Sequence, residues 1–197
     1  PLRQDLMKWT KADALAYFGF SSEKPVILFT GGSSGARSIN KAVLAILSEL
    51  LKRYQVIHLT GHLDWETVKN ATANLPQTYQ AFPYLHEMGA AYAAADLVIS
   101  RAGASVLGEY PFFGLPAILV PYPYAWRYQK VNADYLVERE AAILLEDQYL
   151  QTQLLAQIDN ILQDQARLQH MRRAMKTLAQ PQAAEQIAHL LYEMAEG

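Results

Sequence analysis

Residues 25–40 read PVILFTGGSSGARSIN. Pro25–Thr30 is a short run of strand-forming residues, and Gly31, Gly32 and Gly35 follow it at once. Behind the glycines, Ile39, Val43, Ile46, Leu47 and Leu50 recur on one face of a helix. Strand, glycine turn and amphipathic helix in that order form a βα unit. Glycines let the backbone turn tightly and approach a ligand, and the helix dipole at that point favours phosphate. The turn is neither GxGxxG nor GxxxxGK[ST], so it specifies neither a dinucleotide nor a P-loop site. Taken alone, it also fits a merely tight βα turn.

The pattern repeats outward from this unit. Gln55–Thr60, Thr78–Phe82, Asp96–Ser100, Pro116–Val120 and Ala141–Leu145 read as further strands. Segments of helical character lie between them: Asp64–Ala73, His86–Ala94, Gly103–Phe113 (ended by Gly114) and Arg127–Arg139. Buried strands alternating with helices predict an α/β fold, a doubly wound parallel sheet of about six strands with right-handed crossovers. Residues 25–148 would form that domain, residues 1–24 a leading segment, and residues 149–197 a helical C-terminal tail broken at Pro181. In the leading segment Leu6, Trp9, Ala14, Leu15 and Phe18 form an apolar set, with Thr10 as a helix N-cap.

Composition narrows the function. The chain has 197 residues, 51% apolar and 18% charged, enough to bury one core. A formal net charge of −2 excludes a generally basic nucleic-acid binder. The lack of cysteine excludes disulfides, cysteine nucleophiles and Cys-ligated zinc. Apolar runs such as Val26–Phe29 and Ala117–Val120 are far shorter than the ~20 residues of a membrane span. These features read as a soluble, intracellular, one-core protein. The start at Pro1 reads either as a trimmed initiator Met or as a piece of something longer.

In a doubly wound sheet, ligands sit at the carboxyl ends of the strands, and four segments converge there. The first is the turn itself, with Gly32, Ser33, Ser34 and Gly35. In the second, Arg101–Glu109, residues Gly103, Ala104 and Ser105 open a helix after a strand and make another anion-binding end. Glu109, one turn beyond Ser105, can reach ribose hydroxyls, while Arg101 can pair with a phosphate or with a buried carboxylate. The third, Pro121–Tyr124, leads to Gln129 and Asn132, whose amides suit sugar hydroxyls. The fourth, Phe82–Met88, is an aromatic loop that can cover a flat base or pack on the core. His58 lies in a strand-like run and Gly61 separates it from His62, so the two do not share a helix face; no Asp-x-Asp occurs, and Ser105 lacks a GxSxG elbow. His170 and His189 read as surface residues of the tail.

Together the stretches GGSSGARSIN (31–40), HLTG (58–61), FPYLHEMGAAYAAADLVISRAGASVLGE (82–109), GLPAILVPYPYA (114–125) and YQKVNA (128–133) resemble the C-terminal half of the MurG family. These are GT-B-fold glycosyltransferases that move N-acetylglucosamine from UDP to the lipid-linked muramyl-pentapeptide of bacterial cell walls. The resemblance implies a Rossmann-like donor domain. Gly32, Ser33, Ser34, Gly35, Gly103, Ala104 and Ser105 would then hold the phosphates of a UDP-sugar. Tyr84, Leu85 and Met88 would border uracil, Glu109 would bind ribose, and Tyr128, Gln129 and Asn132 would lie near the sugar. Three positions differ from the family's usual residues: Ser34 replaces Gln, Gly108 replaces Ser, and Tyr128 replaces His or Gln beside the sugar.

The same resemblance implies that the acceptor-binding N-terminal domain, with the catalytic base, is absent, and that Pro1-Leu2-Arg3 matches the end of the interdomain linker. No cofactor or metal is expected in this half. The complete enzyme would be an inverting, metal-independent transferase. It would be cytoplasmic and peripheral on the inner face of the membrane, with a lipid-linked acceptor and no nucleic-acid partner. A standalone UDP-sugar-binding subunit with a separate membrane partner, a lipid glucosyltransferase and a UDP-GlcNAc 2-epimerase are the alternative readings.

Overall fold

The computed structural model describes residues 2–32 and 34–196. Six parallel strands alternate with helices: β1 (Val26–Thr30), β2 (Gln55–Leu59), β3 (Tyr79–Phe82), β4 (Leu97–Ser100), β5 (Ala117–Leu119) and β6 (Ala142–Leu144). They are ordered β3-β2-β1-β4-β5-β6, so the winding direction reverses between β1 and β4. All pairings are parallel, with Leu28 opposite Ile57 on one side and Val98 on the other. This is the α/β doubly wound sheet expected from the alternating pattern, and each strand is a residue or two shorter than its apolar run.

Side chains alternate across the sheet. Val26 and Leu28 enter one core layer, Ile27 and Phe29 the other. The first layer is closed by α1 (Lys11–Phe18), α4 (Met88–Ala94), α5 (Val106–Phe113) and α6 (Trp126–Val137). The second is closed by α2 (Arg37–Arg53) and α7 (Leu150–Leu162), with α8 (Gln165–Thr177) contributing to both. Thus α7 and α8 are built into the core. α9 (Ala183–Glu196) follows Pro181 and leaves Ile187, Leu190, Leu191 and Met194 exposed.

Local chemistry sets the element ends. The Thr10 hydroxyl accepts from the Asp13 N–H and caps α1 as expected. Gly114 ends α5 in the left-handed region at φ 59°, where a side chain would be strained. α5 begins at Val106 rather than Gly103, because Gly103–Ser105 form a preceding turn whose carbonyls accept from Val106 and Gly108. α4 likewise begins at Met88, two residues into the expected segment. Short α3 (Trp65–Ala71) connects β2 to β3. Among the described residues no helix is long and apolar enough to cross a membrane.

Candidate functional site

A cleft of about 1110 Å³ opens at the carboxyl ends of the strands, astride the reversal between β1 and β4. Its floor includes the ends of those two strands, Thr30 and Ser100. α2 enters from Ala36 and α5 from Ser105, and neither N-terminus carries a side-chain cap. At α2 this leaves backbone N–H groups in need of an acceptor, whereas at α5 the carbonyls of Gly103–Ser105 take the first N–H groups; the helix dipole adds positive potential at both ends. Two such starts flank one cleft.

The glycine turn is shaped by crossing another loop. Gly32 and Gly35 have φ of 80° and 76°. A Cβ on Gly35 would lie 2.1 Å from the Thr60 carbonyl oxygen, so the turn passes directly over the end of β2. Gly61, at φ 75°, makes the reciprocal contact. Gly103 differs, since a Cβ there would meet nothing within 4 Å. Gly32, Ser34 and Gly35 line the cleft on one side, Gly103 and Ser105 on the other. Ser33 lies outside the described residues, and Ala104 is exposed without contributing to the lining.

The aromatic loop divides between core and cleft. Leu85 is buried and packs into the core layer of α4, while Tyr84 remains 49% exposed and lines the cleft with Met88. The Tyr84 ring lies nearly parallel to His62 at 6.4 Å and edge-on to His86 at 4.9 Å. This gives a flat, half-open wall.

Arg101 lines the cleft and is bonded to a carboxylate. Its guanidinium donates to Asp147 Oδ1 at 2.5 Å, to Ser38 Oγ at 2.8 Å and to the Val120 carbonyl at 3.1 Å. Ser38 donates in turn to Asp147 at 2.8 Å. The amide pair braces loops: Gln129 Oε1 accepts the Tyr122 N–H at 2.9 Å, and Asn132 Nδ2 donates to the Ala102 carbonyl at 3.0 Å. Gln129 lines the cleft; Asn132, Glu109 and the exposed Tyr128 stand outside the lining. Glu109 Oε2 accepts from the Tyr92 hydroxyl at 2.7 Å. Burial, with Tyr110 and Glu109 beside it, holds the Tyr92 phenol well above its usual range and so keeps it protonated as a donor.

Ser38, Tyr92 and Asp147 escaped the sequence reading although all three line the cleft. Ser38 and Asp147 are 109 residues apart, and no local motif marks either. Tyr92 sits in an alanine-rich helix whose pattern reads as core. His170 and His189 are surface residues paired with Glu140 and Glu193. Among the described residues no group of three or more His, Asp or Glu side chains converges as a metal site.

Residues 26–187 match the glycosyltransferase family 28 C-terminal domain. A relative from Roseiflexus sp. (strain RS-1), named UDP-N-acetylglucosamine–N-acetylmuramyl-(pentapeptide) pyrophosphoryl-undecaprenol N-acetylglucosamine transferase, is 39% identical over 97% of this chain and 49% of its own length. A relative of the same name from Halalkalibacterium halodurans is 36% identical over 100% of this chain and 55% of its own. The crystal structure of Acinetobacter baumannii MurG superposes with a TM-score of 0.78 at 26% identity, covering 98% of this chain and 57% of that one. The chain therefore spans about half the length of the relatives it matches.

Proposed function

The chain belongs to the family of glycosyltransferase family 28 C-terminal domains, and from that premise we propose that it is the donor-binding half of an N-acetylglucosaminyltransferase. It holds UDP-N-acetylglucosamine while a second, acceptor-binding half presents a lipid-linked muramyl-pentapeptide for peptidoglycan synthesis. One observation carries the reading: two helix N-termini without side-chain caps, those of α2 and α5, flank a single cleft where the sheet reverses. That is chemistry for a diphosphate.

In this reading the backbone at Gly32–Gly35 and Gly103–Ser105 receives the diphosphate. Tyr84, Leu85 and Met88 border the uracil at the β3 side, and Glu109 binds the ribose. The sugar extends toward β5, beside Tyr128, Gln129 and Asn132. An acceptor hydroxyl attacks the anomeric carbon in line while the bond to UDP breaks, through an oxocarbenium-like state. Backbone N–H groups and helix dipoles stabilise the negative charge that grows on the leaving diphosphate, with no metal required in this half. The catalytic base, the approach of the acceptor and the peripheral attachment to the inner membrane face belong to the other half. The exposed apolar face of α9 fits as a contact with it.

Calorimetric titration of the chain tests this. It is expected to bind UDP and UDP-N-acetylglucosamine and to transfer no sugar by itself. No heat at millimolar UDP would overturn the proposal.

A further inference from the structure

A chain of hydrogen bonds runs beneath the glycine turn, buried at His58 and Asn40 and exposed where it ends at the cleft wall. His58, on β2, is 0% exposed. Its Nδ1 lies 2.9 Å from the Tyr79 hydroxyl and its Nε2 2.9 Å from Asn40 Oδ1. Asn40, the fourth residue of α2, donates through Nδ2 to the Thr60 carbonyl and to Asp64 Oδ2, both at 2.9 Å. Asp64 Oδ1 accepts from Arg37 Nε at 3.1 Å, and Arg37 lines the cleft.

These contacts fix every proton. Both partners of Asn40 Nδ2 are pure acceptors, so the amide orientation is set and Oδ1 must accept. His58 Nε2 therefore carries the hydrogen, the neutral ring accepts at Nδ1, and the Tyr79 hydroxyl donates. Burial holds His58 neutral, pushed down to about 3, and holds Tyr79 protonated, pushed up to about 12.

The chain meets the site at two places. Asn40 grips the same Thr60 carbonyl over which Gly35 passes, and it anchors the start of α2, which carries Arg37 and Ser38 into the cleft wall. We propose that His58 is a positioning residue for the phosphate end of the cleft: its Nε2–H, through Asn40, sets where the glycine turn and the first turn of α2 stand. The inference rests on the donor-binding reading only for the nature of the ligand.

The two amide replacements separate this role from packing. Glutamine at 58 places an N–H near the His Nε2 position and can still reach Asn40. Asparagine reaches only the Nδ1 position, toward Tyr79. Amide hydrogen exchange of the free chain and titrations with UDP and with uridine provide the readouts. His58→Gln is expected to keep the protection of the Gly35 and Asn40 amides, which bond to Gly32 and Ala36, and the affinity for UDP. His58→Asn is expected to lose that local protection and to weaken UDP binding about tenfold, as for one lost hydrogen bond, with little change for uridine. Equal protection in the two variants, or equal weakening of UDP and uridine, would overturn the proposal. Should His58→Asn not fold, Tyr79→Phe keeps His58 while leaving its buried Nδ1 without the donor that holds the ring in place. Lower protection at the Gly35 and Asn40 amides is then expected, and unchanged protection counts against the relay. If the native chain bound neither ligand, the donor-binding reading would fail, and the exchange measurement would still decide the role of His58.

Discussion

Glu109 stands in the first turn of α5 with one carboxylate oxygen already bonded to the Tyr92 hydroxyl. Tyr92 is 7% exposed, so losing its acceptor costs more than losing a surface contact. The bond also fixes the direction of the carboxylate, so under the proposed function its other oxygen would meet a ribose at little entropic cost. Glu109→Ala is expected to weaken UDP binding by about 1–3 kcal/mol and to lower thermal stability as well. Glu109→Gln, which still offers Tyr92 an acceptor, should recover the stability before the affinity. Calorimetric titration beside thermal unfolding checks this, and a native affinity in Glu109→Ala removes the ribose role. The ribose role proposed for Glu109 rests on its place one turn beyond Ser105. Tyr92, its partner 17 residues earlier, had no signal of its own, because a lone aromatic on an apolar helix reads as core.

At the scale of elements, the cleft depends on how the β1–α2 turn crosses the end of β2. The glycines of the two turns that flank the cleft are not equivalent. Gly35 has no room for a methyl group and a left-handed φ of 76°, whereas Gly103 in the β4–α5 turn faces open space. Gly35→Ala is expected to displace the turn, lower the melting temperature and weaken UDP binding more than tenfold, through the strain of the left-handed conformation and the clash with Thr60. Gly103→Ala should fold with a stability within about 0.5 kcal/mol of the native chain. Paired unfolding curves check the contrast, and equal losses in the two variants would refute it. Further along the edge, Arg101 joins the ends of β4 and β5 to the start of α2 and to the β6–α7 loop. Sequence reading left its partner open between phosphate and carboxylate. The carboxylate it meets, Asp147, lies 46 residues away, beyond the reach of any local pattern.

For the molecule as a whole, one buried histidine makes folding depend on pH. The folded His58 is held near 3 against its ordinary 6.5, so the unfolded chain takes up the proton first as pH falls. Its contribution to stability is complete above about 6.5 and is lost progressively between 6.5 and 3, with a slope approaching about 1.4 kcal/mol per pH unit. Urea unfolding at neutral pH and near pH 4.5 should show a steeper loss for the native chain than for His58→Gln; parallel losses would exclude His58 as the cause. The sequence by itself determined the class of the fold. Six apolar runs at strand length, separated by helical segments, leave little choice but a parallel doubly wound sheet, and its turns of glycine and proline mark the ligand-binding edge. Those are local properties, carried by periodicity and backbone freedom. Only the tertiary structure decided which side chains act on one another. The pairings of His58 with Asn40, Tyr92 with Glu109, and Arg101 with Ser38 and Asp147 join different elements, at separations that no periodicity records. They exist because folding the sheet removes these polar groups from water, so each must find its partner inside the protein.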